Sequence, residues 1–138
     1  MNFTDIYAWE FTPRPGYEYF NGMSTELVGR THFYNFGASN QEGPKNPVSV
    51  LKSVAQPGDF VVFKLDIDTP TVETPMVQDL LQDDAALALI TDFYYELHFG
   101  LKDMDWAWGE VASGSDLASA TEVFKQFREK GVKAQMWP

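Results

Sequence analysis

A chain of 138 residues is long enough for one domain with a hydrophobic core, and 44% hydrophobic with 15% aromatic residues marks it as globular rather than disordered. Its formal net charge of −10 repels phosphate backbones and acidic lipid heads, which argues against nucleic-acid binding and against docking on anionic membranes. It contains no cysteine, so disulfides, zinc thiolates and a cysteine nucleophile are excluded.

No apolar run approaches the roughly 18 residues of a membrane span. No basic stretch followed by an apolar core marks a signal peptide, so a soluble cytoplasmic or organellar protein is expected. Peripheral association stays open.

The first predicted strand is Asp5–Glu10, which mixes β-branched and aromatic residues and ends on a carboxylate. Pro13, Pro15 and Gly16 break it. Tyr17, Phe20, Met23 and Leu27 are spaced three or four apart and predict one helix over Tyr17–Val28. Thr31–Phe36 reads as a second strand, followed by a polar loop from Gly37 to Pro47. Val48, Leu51 and Val54 mark a short helix that Pro57 and Gly58 stop.

Asp59–Leu65 carries the continuous apolar run Phe-Val-Val-Phe, the pattern of a strand covered on both faces. Thr69-Pro70 opens a helix with Val72, Met76, Val77 and Leu80 on its apolar stripe, and Ala85–Ile90 adds a turn or two beyond Asp83-Asp84. Asp92–His98 is a fourth strand. Gly100–Gly114 has no period and reads as a loop. Its Trp106 and Trp108 suit core packing, a partner interface or the wall of a ligand pocket. In the last helix Ser115 is the expected N-cap, Leu117, Ala120, Phe124 and Phe127 form the stripe, and Gly131 is the stop. Val132–Trp137 is the fifth strand. Strands alternating with helices over residues 1–138 predict a single α/β domain, a mostly parallel sheet with helices on both faces.

Open α/β sheets bind ligands at the carboxyl ends of their strands. Those ends carry Glu10, Asp66, Asp68, Glu96 and His98. Glu10 stands where an acid accepts hydrogen bonds from a ribose diol. Asp66 and Asp68 lie two apart, as do Glu96 and His98, and a turn at the strand end would separate the first pair. Three readings fit the set. The four side chains Asp66, Asp68, Glu96 and His98 could hold Mg²⁺, Mn²⁺ or Fe²⁺. His98 could be a general base oriented by Glu96, with Asp68 beside it. Or the group is a buried, hydrogen-bonded polar cluster. His32, inside an aromatic strand, reads as a core or edge histidine. No P-loop, Gly-x-Ser-x-Gly or His-Glu-x-x-His motif occurs.

The run from Asp59 through Phe-Val-Val-Phe-Lys-Leu-Asp-Ile to Asp68 resembles the Lys-Ile-Asp-Val-Glu segment of FkbM-type methyltransferases, in the branch common in algae and other protists. Tyr7–Glu10, Asp92–His98 and Phe124–Pro138 fit the same pattern in the same order. The resemblance implies a Rossmann-like sheet of the class I kind that binds S-adenosylmethionine (SAM). Glu10 would lie on the ribose, Asp66 and Asp68 near the methyl donor and acceptor, and Glu96 and His98 at the end of the next strand.

The sequence departs from that pattern at Leu97, where relatives tend to have histidine, and at Gln135-Met136, where they tend to have His-Ser. It also holds no Gly-x-Gly, so the family's first strand and its cofactor-cradling turn are missing from it. The resulting gap is expected between the Ala8–Glu10 and Val61–Asp66 strands. A longer biological chain, a partner chain or a closed-up smaller sheet would each resolve it. The departures favour a non-catalytic structural or accessory subunit of a larger assembly, for which the algal resemblance suggests an organelle or photosynthetic complex with protein partners. A SAM-dependent O-methyltransferase fragment and a metal-binding module are the alternatives.

Overall fold

The computed structural model describes residues 2–98 and 116–137. The loop expected over Gly100–Gly114, with Trp106 and Trp108, lies outside the described residues. In chain order the elements are β1 (Ile6–Trp9), α1 (Gly16–Tyr19), α2 (Thr25–Gly29), β2 (Thr31–Tyr34), α3 (Pro47–Val54), β3 (Val62–Leu65), α4 (Pro70–Gln82), α5 (Asp84–Leu87), β4 (Asp92–Tyr95), α6 (Leu117–Glu129) and β5 (Lys133–Met136).

All strand pairs are parallel. In β1–β2, Ile6 lies opposite Thr31 and Trp9 opposite Tyr34. In the order β3–β4–β5, Phe63 lies opposite Phe93 and Phe93 opposite Ala134. The fold is therefore α/β, but the single five-stranded sheet expected from the sequence is two small sheets of two and three strands. Among the described residues no ladder joins β1 to β3. Among the described residues each of these strands pairs along one edge only.

The three-stranded half holds the core. Period-two alternation buries Phe63 and Leu65 of β3 and exposes Val62 and Lys64. The apolar run in β3 thus covers one face, not the two expected. Phe93 of β4 and Phe127 of α6, both 0% exposed, meet with ring centroids 4.4 Å apart. The cap of α6 is Asp116, not Ser115: its carboxylate accepts the Ser119 amide at 2.8 Å, and the Ser119 hydroxyl accepts the Asp116 amide at 2.8 Å. Ala120, Phe124 and Phe127 form the buried stripe, whereas Leu117, in the first turn ahead of it, is 62% exposed. Gly131, at φ +89°, makes the left-handed stop before β5.

The β1–β2 half is built differently. Among the described residues ahead of Pro47, none is buried. The one helix expected over Tyr17–Val28 is two short ones, because Gly22 at φ +79° turns the chain and Ser24 caps α2 through the Leu27 amide at 3.2 Å. Rings stack across the sheet, half-buried Tyr7 on His32 at 4.4 Å and Trp9 on Tyr34 at 4.7 Å. His32 is exposed on β2, which borders its sheet, and pairs with Asp5 at 3.0 Å, so of the core and edge readings the edge one holds.

Replacing Phe127 by alanine should cost about 3–5 kcal/mol of unfolding free energy, as removing a fully buried ring does. The same change at half-buried Tyr19 should cost well under half as much. Urea unfolding of the two variants checks the contrast.

Candidate functional site

The carboxyl ends of β1 and β3 meet at a cavity of about 460 Å³, lined by residues that include Trp9, Glu10, Thr12, Asp66, Asp68 and Thr69. Glu10 is held on its wall by Arg14 at 3.3 Å and by the Thr12 amide at 3.0 Å. Its carboxylate therefore already has partners where a ribose diol was expected.

The turn after β3 sends its two aspartates to different neighbours. Asp66 pairs with Lys64, whose ammonium stands over the Trp137 ring at 4.3 Å. Asp68 has left-handed backbone, φ 54°, a conformation that aspartate tolerates better than most residues. There its Oδ1 lies 3.5 Å from His98 Nε2. Glu96 Oε1 lies 3.7 Å from the same nitrogen. His98 is only 5% exposed. One donor atom each from Asp68, Glu96 and His98 fall within 4.8 Å of one another, a spacing open to a metal ion. Asp66 is not in that converging group, so the expected set of four becomes three.

The sequence reading passed over Glu73. It is 2% exposed on α4, and its Oε1 accepts the Ile67 amide at 3.0 Å. The signal was present: Glu73 falls in register with Met76, Val77 and Leu80, the buried face of α4.

Comparison with protein-family models, with curated proteins and with solved structures gives no match to this chain. The chemistry of the cluster rests on its own geometry.

The neighbouring carboxyls of Asp66 and Glu96 shift each other in opposite directions. The Asp66 carboxyl beside it pushes Glu96 up to about 7, with burial and the charges of Asp66 and Asp68 adding to the rise. The Glu96 carboxyl and Lys64 hold Asp66 below the usual aspartate range. Burial also raises the carboxyl of Glu73, opposed by the Ile67 amide.

The raised Glu96 contributes stability that is complete below its ordinary 4.5 and lost as pH rises through about 7. Asp66 acts in the opposite sense, present above 3.8 and lost in stronger acid. Glu96→Gln, a permanent mimic of the protonated carboxyl, should therefore match the wild type at pH 5 and exceed it at pH 8.5 by on the order of 4 °C in melting temperature. Melting curves in chelator-treated buffer check this. Identical pH slopes for the two proteins would refute the upward shift of Glu96.

Proposed function

We propose that this chain is a methyltransferase-like α/β domain that serves as a non-catalytic structural or accessory part of a larger assembly. The observation that carries the reading is the parting of the parallel ladders between β1 and β3. The resemblance to FkbM-type proteins puts an intervening strand at that junction. Backbone donors and acceptors along unpaired strand edges call for a partner strand, from a longer chain or from another protein. The absence of buried side chains among the described residues ahead of Pro47 supports the same need for cover.

The non-catalytic part rests on chemistry. With no Gly-x-Gly in the sequence, these residues provide no close-approach amide turn for the cofactor. The cavity at the strand ends is instead rimmed by Glu10, Asp66 and Asp68.

Calorimetry with SAM at millimolar concentration should show no heat of binding. Saturable heat would overturn the accessory reading in favour of a SAM-dependent O-methyltransferase fragment. Light scattering at micromolar concentration should give a mass above the 15.6 kDa of one chain, as open edges associate. A stable monodisperse monomer would count against the subunit role.

The convergence of Asp68, Glu96 and His98 favours a second reading, a divalent-metal module at the same strand ends.

A further inference from the structure

A metal site needs its ligands aimed before the ion arrives. Two of the three candidate donors, Glu96 and His98, follow directly from β4, whose parallel ladders to β3 and β5 fix it. The third does not. Asp68 lies beyond the end of β3, with its side chain about three-quarters exposed, in a backbone conformation that most residues avoid. Something must hold that turn against relaxation.

Glu73 is placed to do so. It sits in the first turn of α4, where its own amide donates to the Thr69 carbonyl at 3.0 Å. Its carboxylate reaches back to accept the Ile67 amide at 3.0 Å. The residues on either side of Asp68 are thereby tied to one residue, Ile67 through the Glu73 carboxylate and Thr69 through the Glu73 amide. A carboxylate 2% exposed carries a large desolvation cost, and nothing in core packing asks for a charge there. Buried carboxylates that hydrogen-bond the supports of a ligand are a recurrent feature of metal centres.

Resting on the metal-binding reading, we propose that Asp68, Glu96 and His98 take a transition ion of the Mn²⁺, Fe²⁺ or Zn²⁺ class, and that Glu73 is the positioning residue that presents Asp68 to it. The imidazole selects against Mg²⁺ and Ca²⁺, which prefer oxygen donors alone. Three protein ligands leave coordination positions open. Asp68 also lines the cavity between β1 and β3, so the ion would stand at the rim of that cavity.

The test uses the full chain stripped with chelator, titrated separately with MnCl₂, ZnCl₂ and MgCl₂ in a calorimeter. The wild type should bind Mn²⁺ and Zn²⁺ and take Mg²⁺ far more weakly, and Asp68→Asn should lose most of the affinity. Glu73→Gln keeps an oxygen acceptor for the Ile67 amide and should retain binding. Glu73→Leu fills the same space with no acceptor and should weaken binding roughly 10- to 100-fold. Far-ultraviolet circular dichroism establishes that each variant is folded. Should the leucine variant not fold, hydrogen exchange on the wild type decides: Zn²⁺ should slow the Ile67 amide, and an unchanged rate overturns the role of Glu73. No binding by the wild type at millimolar ion, or equal binding by Asp68→Asn, overturns the metal reading and this inference with it. Wild-type binding lost in Asp68→Asn but kept in Glu73→Leu overturns the positioning role alone. Mg²⁺ affinity equal to that for Mn²⁺ overturns the assignment of the ion class.

Discussion

A β-strand carries a row of backbone donors and acceptors along each edge, and every other feature of this molecule is arranged around how few of those rows are filled. Two separate sheets have four edges, where one sheet of the same five strands would have two. β1 and β3 each border a sheet, and their carboxyl ends line one cavity whose carboxylates are drawn to different neighbours. Glu10 stays with Arg14 on one side, while Asp66 and Asp68 turn toward β4 on the other.

The acidic group at the end of β3 and β4 illustrates how a crowded set of like charges settles. Coulomb repulsion among carboxylates a few ångströms apart is relieved by a proton, by a cation or by distance. Here the Asp66 carboxyl pushes Glu96 up to about 7, Lys64 pairs with Asp66, and Asp68, on left-handed backbone, faces His98. His98 sits where the remaining negative potential is concentrated, between Asp68 and Glu96.

Much of the fold was legible because period and punctuation act locally. Phe-Val-Val-Phe before Asp66, the Thr69-Pro70 helix start and the Gly131 stop each mark an observed element. The helix over Tyr17–Val28 was misread because apolar spacing alone hides a glycine at positive φ. The cap of α6 was displaced by one residue because Ser115 and Asp116 both suit the role, and only the reciprocal bonds with Ser119 decide. Asp68, Glu96 and His98 were named from strand ends alone. The separation of Asp66 from Asp68 follows the turn expected at the strand end, whereas which of the two joins Glu96 and His98 is not encoded in the spacing. Glu73 was visible as a charge on an apolar face, but its partners Ile67 and Thr69 became evident only once α4 folded back on the turn.

The uneven burial of the two halves has a kinetic side. The three-stranded half draws its core from residues Leu51 to Ala134, with β3, β4 and β5 joined through helices that pack against them. Such a unit gains apolar burial as soon as it forms. The β1–β2 half has ring stacking and one ladder but, among the described residues ahead of Pro47, no buried side chain, so its formation returns less free energy. Local opening, and with it amide exchange and proteolytic nicking, would concentrate there while the three-stranded half stays closed.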